Sequence, residues 1–93
     1  MAQKFDNEKG FLIIEMTREE ADSIGFGLGG GACICVGCNN LCLPKVFYVA
    51  VLNETMCEDC LKNFVENSTR YDEDIPYEKR NYEYYSKQLQ LLS

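Results

Sequence analysis

Six cysteines and no histidine stand in a chain of 93 residues, and two pairs of them share one spacing. Cys35-Val36-Gly37-Cys38 and Cys57-Glu58-Asp59-Cys60 each place two thiols on either side of a two-residue spacer. That spacer lets both sulfurs of one tight turn reach a single ion at about 2.3 Å with tetrahedral angles. The pairs lie 18 residues apart, enough for a hairpin to return the chain to the same ion. One such pair is weak evidence of a metal site, whereas two at this separation are strong evidence. All-sulfur ligation selects zinc, with iron as the main competitor. Cys35, Cys38, Cys57 and Cys60 are therefore the candidate ligands of one structural Zn²⁺.

The elements that must hold these thiols follow from local pattern. Val46-Phe47-Tyr48-Val49-Ala50-Val51-Leu52 is the strongest strand signal, with Asn53-Glu54 as a tight turn, so 41–56 reads as a β-hairpin. After Cys57, Leu61, Phe64 and Val65 recur at helical spacing. A helix of roughly ten residues is expected from about Glu58, ending near Asn67-Ser68. Cys57 and Cys60 then lie at a helix start, where unpaired N–H groups and the positive dipole end favour thiolate charge. Glu58 and Asp59 read as first-turn acids rather than catalytic groups.

A thiol knuckle, a hairpin, and a second thiol pair entering a helix together resemble the treble-clef zinc finger over residues 33–69. The chain is also similar to small zinc-finger proteins of bacteria. The resemblance implies that Cys35 and Cys38 are knuckle ligands and that Cys57 and Cys60 are helix-start ligands of a structural zinc. Functions within that superfamily are diverse, so the fold does not name the activity. Asn39 stands where a knuckle usually carries glycine or another small residue, and asparagine tolerates the left-handed conformation. Cys33 and Cys42 fall outside the four-ligand pattern. They read first as small buried thiols beside the knuckle; the alternatives are Cys33 replacing Cys35, or a redox pair near the metal. Rubredoxin also uses two such pairs, but both sit on hairpin turns. A thioredoxin-like dithiol needs a βαβ scaffold that is missing here.

Outside the cysteines, the chain reads as a single α+β domain over 1–93. Residues 1–10 are polar and expected to fray. Residues 11–32 form a strand, a helix and a glycine loop. The strand is Phe11 to Met16; Thr17 and Glu20 then match a capping box, and a short helix runs through Ala21 and Ile24 to a stop at Gly25. Gly25-x-Gly27-x-x-Gly30 spells the dinucleotide fingerprint, but a helix rather than a strand precedes it, so a plain loop is the better reading. Residues 70–93 are an acidic connector and a C-terminal helix with Pro76 at its first position. On that helix Tyr82, Tyr85, Leu89 and Leu92 make an apolar stripe that docks on the hairpin, while Glu78, Lys79, Arg80, Lys87 and Gln90 mostly lie elsewhere. Tyr84 and Leu91, off the stripe, are the better candidates for contact with a partner.

Composition bounds the role. A chain this short has a marginal core and gains from a metal staple. No secretory leader or bilayer-spanning stretch is visible, so a cytoplasmic location with reduced thiols is expected. The formal net charge is −6, and four thiolates around one dication add about −2 more. Such a surface repels phosphate backbones. Lys45, Lys62, Arg70 and the Lys79-Arg80 pair, the basic residues a nucleic acid would use, are scattered among acids. Four cysteines close the site to a catalytic water, and the commonest general base is missing, so no enzymatic activity is expected. A structural zinc module that mediates protein–protein interaction is the leading expectation, through Tyr77, Tyr82, Tyr84 and Tyr85. A nucleic-acid-binding or regulatory finger is the alternative.

Overall fold

The computed structural model describes residues 2–24, 34–42 and 45–89. In chain order the elements are β1 (Gln3–Lys4), β2 (Ile13–Met16), α1 (Arg18–Ser23), β3 (Val46–Val49), β4 (Glu54–Met56), α2 (Glu58–Asn67) and α3 (Ile75–Gln88), with a 3-10 turn at Asp72–Asp74 before α3. Among the described residues the strands form one antiparallel sheet in the order β1-β2-β3-β4.

β3 is β-branched or aromatic at every position and is buried along its whole length, as a central strand covered on both sides must be. Register sorts the side chains onto two faces. Ile13 opposes Val49 and Glu15 opposes Phe47 on one face, while Ile14 opposes Tyr48 and Met16 opposes Val46 on the other. Phe47 faces Met56 and Tyr48 faces Thr55 across β3 and β4. Helix α2 covers the Phe47 side with buried Leu61 and Val65, and Phe64 packs its ring 5.0 Å from that of Phe11. Helix α3 covers the Tyr48 side, where Tyr85 meets Tyr48 edge-on at 4.7 Å between ring centres. Each large apolar side chain enclosed this way contributes about 1.5–3 kcal/mol.

Local signals place the boundaries. Thr17 caps α1 by accepting from the Glu20 N–H at 3.1 Å, and the Glu20 carboxylate accepts from the Thr17 N–H at 3.0 Å, the reciprocal pair of a capping box. Helix α1 ends at Ser23 with Ile24 as its cap, so a helix precedes residue 25; the stop at Gly25 and the glycine fingerprint fall outside the described residues. Helix α2 spans ten residues from Glu58. Pro76 is the second residue of α3 rather than the first.

Three further details differ from the sequence expectation. The first ten residues are not merely a polar tail: Gln3 and Lys4 pair with Glu15 and Ile14, Ala2 is buried, and its N–H donates to Glu20 at 2.8 Å. Strand β3 stops at Val49, because the chain turns through 50–53 with Asn53 at φ 54°. The Tyr48 hydroxyl donates to Asn53 at 2.6 Å and so ties the turn to the core. Glu78, one of the residues expected to lie mostly off the apolar stripe of α3, is wholly buried. Its carboxylate accepts two bonds from Arg70, at 2.9 and 2.7 Å, and one from the Leu12 N–H at 2.9 Å. A buried carboxylate persists only with such a set of partners. Tyr82, Tyr85 and Leu89 do pack against the core; Leu91 and Leu92 lie outside the described residues. No helix among the described residues is long and apolar enough to cross a membrane.

Candidate metal centre

The first thiol pair sits in a tight loop that closes on itself. Ile34 and Leu41 bridge its base. Within it the Cys35 N–H donates to Asn40 O at 2.8 Å and the Asn39 N–H donates to Cys35 O at 2.9 Å. Asn39 takes φ 61°, the left-handed conformation that asparagine accepts at modest cost. Strand β4 fixes this loop against the sheet. The Val36 N–H donates to Thr55 O at 2.9 Å, and the Thr55 hydroxyl donates to Ile34 O at 3.1 Å. One residue past β4 the chain reaches Cys57, the N-cap of α2 with extended backbone angles, and Cys60 follows in the first helical turn. The hairpin thus carries the second thiol pair back to the first.

The result is a single cluster. The sulfurs of Cys35, Cys38, Cys57 and Cys60 all lie within 4.8 Å of one another. Cys38 and Cys57, from different pairs, stand 3.9 Å apart. Four sulfurs at tetrahedral positions 2.3 Å from one ion would be about 3.8 Å apart, so the residues present fit a tetrahedral ion. Cys35 is fully buried, Cys38 is exposed, and Cys57 and Cys60 are half-buried.

Gly37 is part of the fit. A Cβ at that position would meet Cys60 Sγ at 3.0 Å and Cys60 Cβ at 3.1 Å, so the spacer of one pair passes directly over a sulfur of the other. The Gly37 N–H donates to Cys35 Sγ at 3.3 Å. Burial raises the Cys35 thiol, but the backbone N–H groups of Cys57, Cys38 and Gly37 bring it down to about 7. Cys60 moves the other way, pushed up first by the neighbouring Cys35 sulfur and then by those of Cys57 and Cys38. One negative sulfur resists the next at this range, and a divalent cation at the centre would remove that opposition.

The other candidates are placed as follows. Cys42 is buried beside the loop and outside the cluster, in line with a core thiol; Cys33 lies outside the described residues. Glu58 and Asp59 are exposed at the start of α2. Of the basic residues a nucleic acid would contact, Lys45 binds Glu15 at 2.9 Å and Arg70 binds Glu78. Arg80 lies over the Tyr77 ring at 5.6 Å. Tyr71, Tyr77 and Tyr84 are exposed. Sequence reasoning missed two supporting residues, Gly37 and Thr55. The glycine between two cysteines was the one visible signal; nothing local marks the threonine, whose hydroxyl finds its partner 21 residues earlier in the chain.

No family model, curated protein or solved structure matches this chain. The four sulfurs and their surroundings form a candidate metal-binding site of structural type.

Proposed function

We propose that this chain is a structural zinc-binding module of treble-clef type that serves as a protein-interaction domain and catalyses no reaction. The observation that carries the reading is the convergence of both thiol pairs into one cluster of four sulfurs within 4.8 Å. The order of parts supports the treble clef: a thiol loop, the β3–β4 hairpin, then a thiol pair at the start of α2. That helical second pair separates it from rubredoxin-like iron sites, and a filled set of four thiolates favours zinc in a structural role. Cys35, Cys38, Cys57 and Cys60 would hold the ion. Its chemistry there would be to neutralise crowded thiolates and to tie the loop to α2, with an apparent stabilisation of about 10–16 kcal/mol.

The interaction role rests on the acidic charge of −6 and on exposed Tyr77 and Tyr84 along α3, since tyrosine is enriched where proteins meet. Stepwise addition of Zn²⁺ to chelator-stripped protein, followed by near-UV circular dichroism, tests the first part. Native signal should return fully at one equivalent. A stripped protein that keeps its native spectrum would refute a structural ion. For the second part, Tyr77→Ala and Tyr84→Ala should abolish partner capture while leaving zinc content and fold unchanged.

A further inference from the structure

The four sulfurs are not equivalent to an approaching reagent. A surface depression is lined by Cys38, Asn40, Leu41, Cys57, Glu58, Asp59 and Cys60; Cys35 lies behind them, fully buried. Cys38 is the exposed member, and its sulfur lies 3.9 Å from Cys57 Sγ; both residues line the depression. Cys57 is the N-cap of α2: its carbonyl accepts from the Leu61 N–H at 2.9 Å, but its side chain makes no capping hydrogen bond, so the thiol can turn without breaking the helix. Cys60 is held within the first turn of α2, and Gly37 passes so close that a Cβ there would meet its sulfur at 3.0 Å.

We infer that the centre is an oxidation site at which a small peroxide joins Cys38 to Cys57 and discharges the metal. This inference rests on the metal-site reading above. The Cys38 thiolate attacks one oxygen of hydrogen peroxide; the O–O bond breaks, hydroxide leaves and a sulfenic acid forms. The Cys57 thiolate then attacks the Cys38 sulfur and displaces the second hydroxide, which completes the disulfide. Two electrons pass from sulfur to peroxide, and two protons taken from solvent turn both hydroxides into water. Closing the bond needs the sulfurs to approach from 3.9 Å to about 2.04 Å. Only Cys35 and Cys60 then remain as ligands, too few to retain the ion. A dithiol reductant reverses the reaction and restores the four-sulfur cluster.

The experiment treats the full, metal-loaded chain with graded hydrogen peroxide. It follows metal release with a chromogenic chelator and maps the disulfide by non-reducing digestion with trypsin and a Glu-specific protease. Cleavage after Lys45 and Glu58 separates Cys57 and Cys60 from each other and from the peptide that carries Cys33, Cys35, Cys38 and Cys42, and fragmentation of the cross-linked peptide in the mass spectrometer assigns the cysteine within it. The expected result is one ion released per Cys38–Cys57 bond, both reversed by dithiothreitol with metal present. Four intact thiols in metal-loaded protein after peroxide treatment would overturn the inference and leave the metal reading standing. A first bond within either spacer pair, or to Cys42, would also overturn it. Protein that carries no metal from the outset would overturn the metal reading, and the inference that depends on it, before any peroxide is added.

Discussion

Gly37→Ala isolates the contact between the two halves of the candidate centre. The added methyl would stand 3.0 Å from Cys60 Sγ and 3.1 Å from Cys60 Cβ, whereas heavy atoms settle at about 3.5–4.0 Å. At least about 0.5 Å must be found. Cys60 cannot easily supply it, because its sulfur is held by the cluster and its backbone by the first turn of α2. Overpacking of this kind costs about 1–3 kcal/mol. Replacing glycine where its backbone is not left-handed returns about 0.4–1 kcal/mol through the unfolded chain. The net loss should be about 1–2 kcal/mol, and because it falls on a ligand sulfur it should appear as weaker metal binding by about 5- to 30-fold. Chelator competition gives the affinity and urea unfolding gives the stability. Gly10→Ala is the control: Gly10 has φ 78° and its nearest neighbour to a new methyl is Arg70 Nη1 at 3.8 Å. Its cost, about 1–2 kcal/mol of left-handed strain, should leave metal affinity untouched. A Gly37→Ala protein that binds metal as tightly as the wild type, or a Gly10→Ala protein weakened equally, would refute this picture of the site.

Two further outcomes follow from the core. Glu78→Gln keeps the shape of the side chain but turns one N–H₂ group toward either Arg70 or the Leu12 N–H, both donors. With Arg70 a quarter exposed, the loss should be about 2–4 kcal/mol in urea unfolding, and a loss under about 1 kcal/mol would show the pair to be dispensable. Lys45, hydrogen-bonded to Glu15, holds that carboxyl below its ordinary value of 4.5 against some opposing burial. A carboxyl lowered in the folded state stabilises it above the unfolded value and loses that contribution as pH falls through the folded one. Lys45→Met should therefore be less stable than the wild type at neutral pH, with the gap closing below pH 4.5. A gap that is constant with pH would assign the loss to packing instead.

What was legible in the sequence was local. The capping box of α1, the extent of α2 and the core of the β3–β4 hairpin are each specified by residues within a few positions of one another, and the structure has them where their patterns put them. The thiol spacing was legible for the same reason, since a two-residue spacer dictates a tight turn. The rest depends on partners distant in sequence. Strand β1 is two polar residues that acquire a strand's conformation only by pairing with β2. Glu78 looks like one of several surface charges on α3 until Arg70 and the Leu12 N–H, 66 residues away, are brought beside it. Thr55 tells the same story at the site: a strand threonine whose hydroxyl holds the knuckle in place. Periodicity placed Tyr82, Tyr85 and Leu89 on the inner face of α3, but could not show that a carboxylate shares that face.

In the proposed function, Cys35, Cys38, Cys57 and Cys60 bind one zinc ion on which folding depends. Elemental analysis and native mass spectrometry of protein purified without added metal, alongside Cys57→Ser, address it most directly. One zinc per wild-type chain is expected, lost together with the native spectrum in Cys57→Ser. A metal-free wild type, iron with visible absorbance, or a well-folded zinc-free Cys57→Ser protein would contradict it.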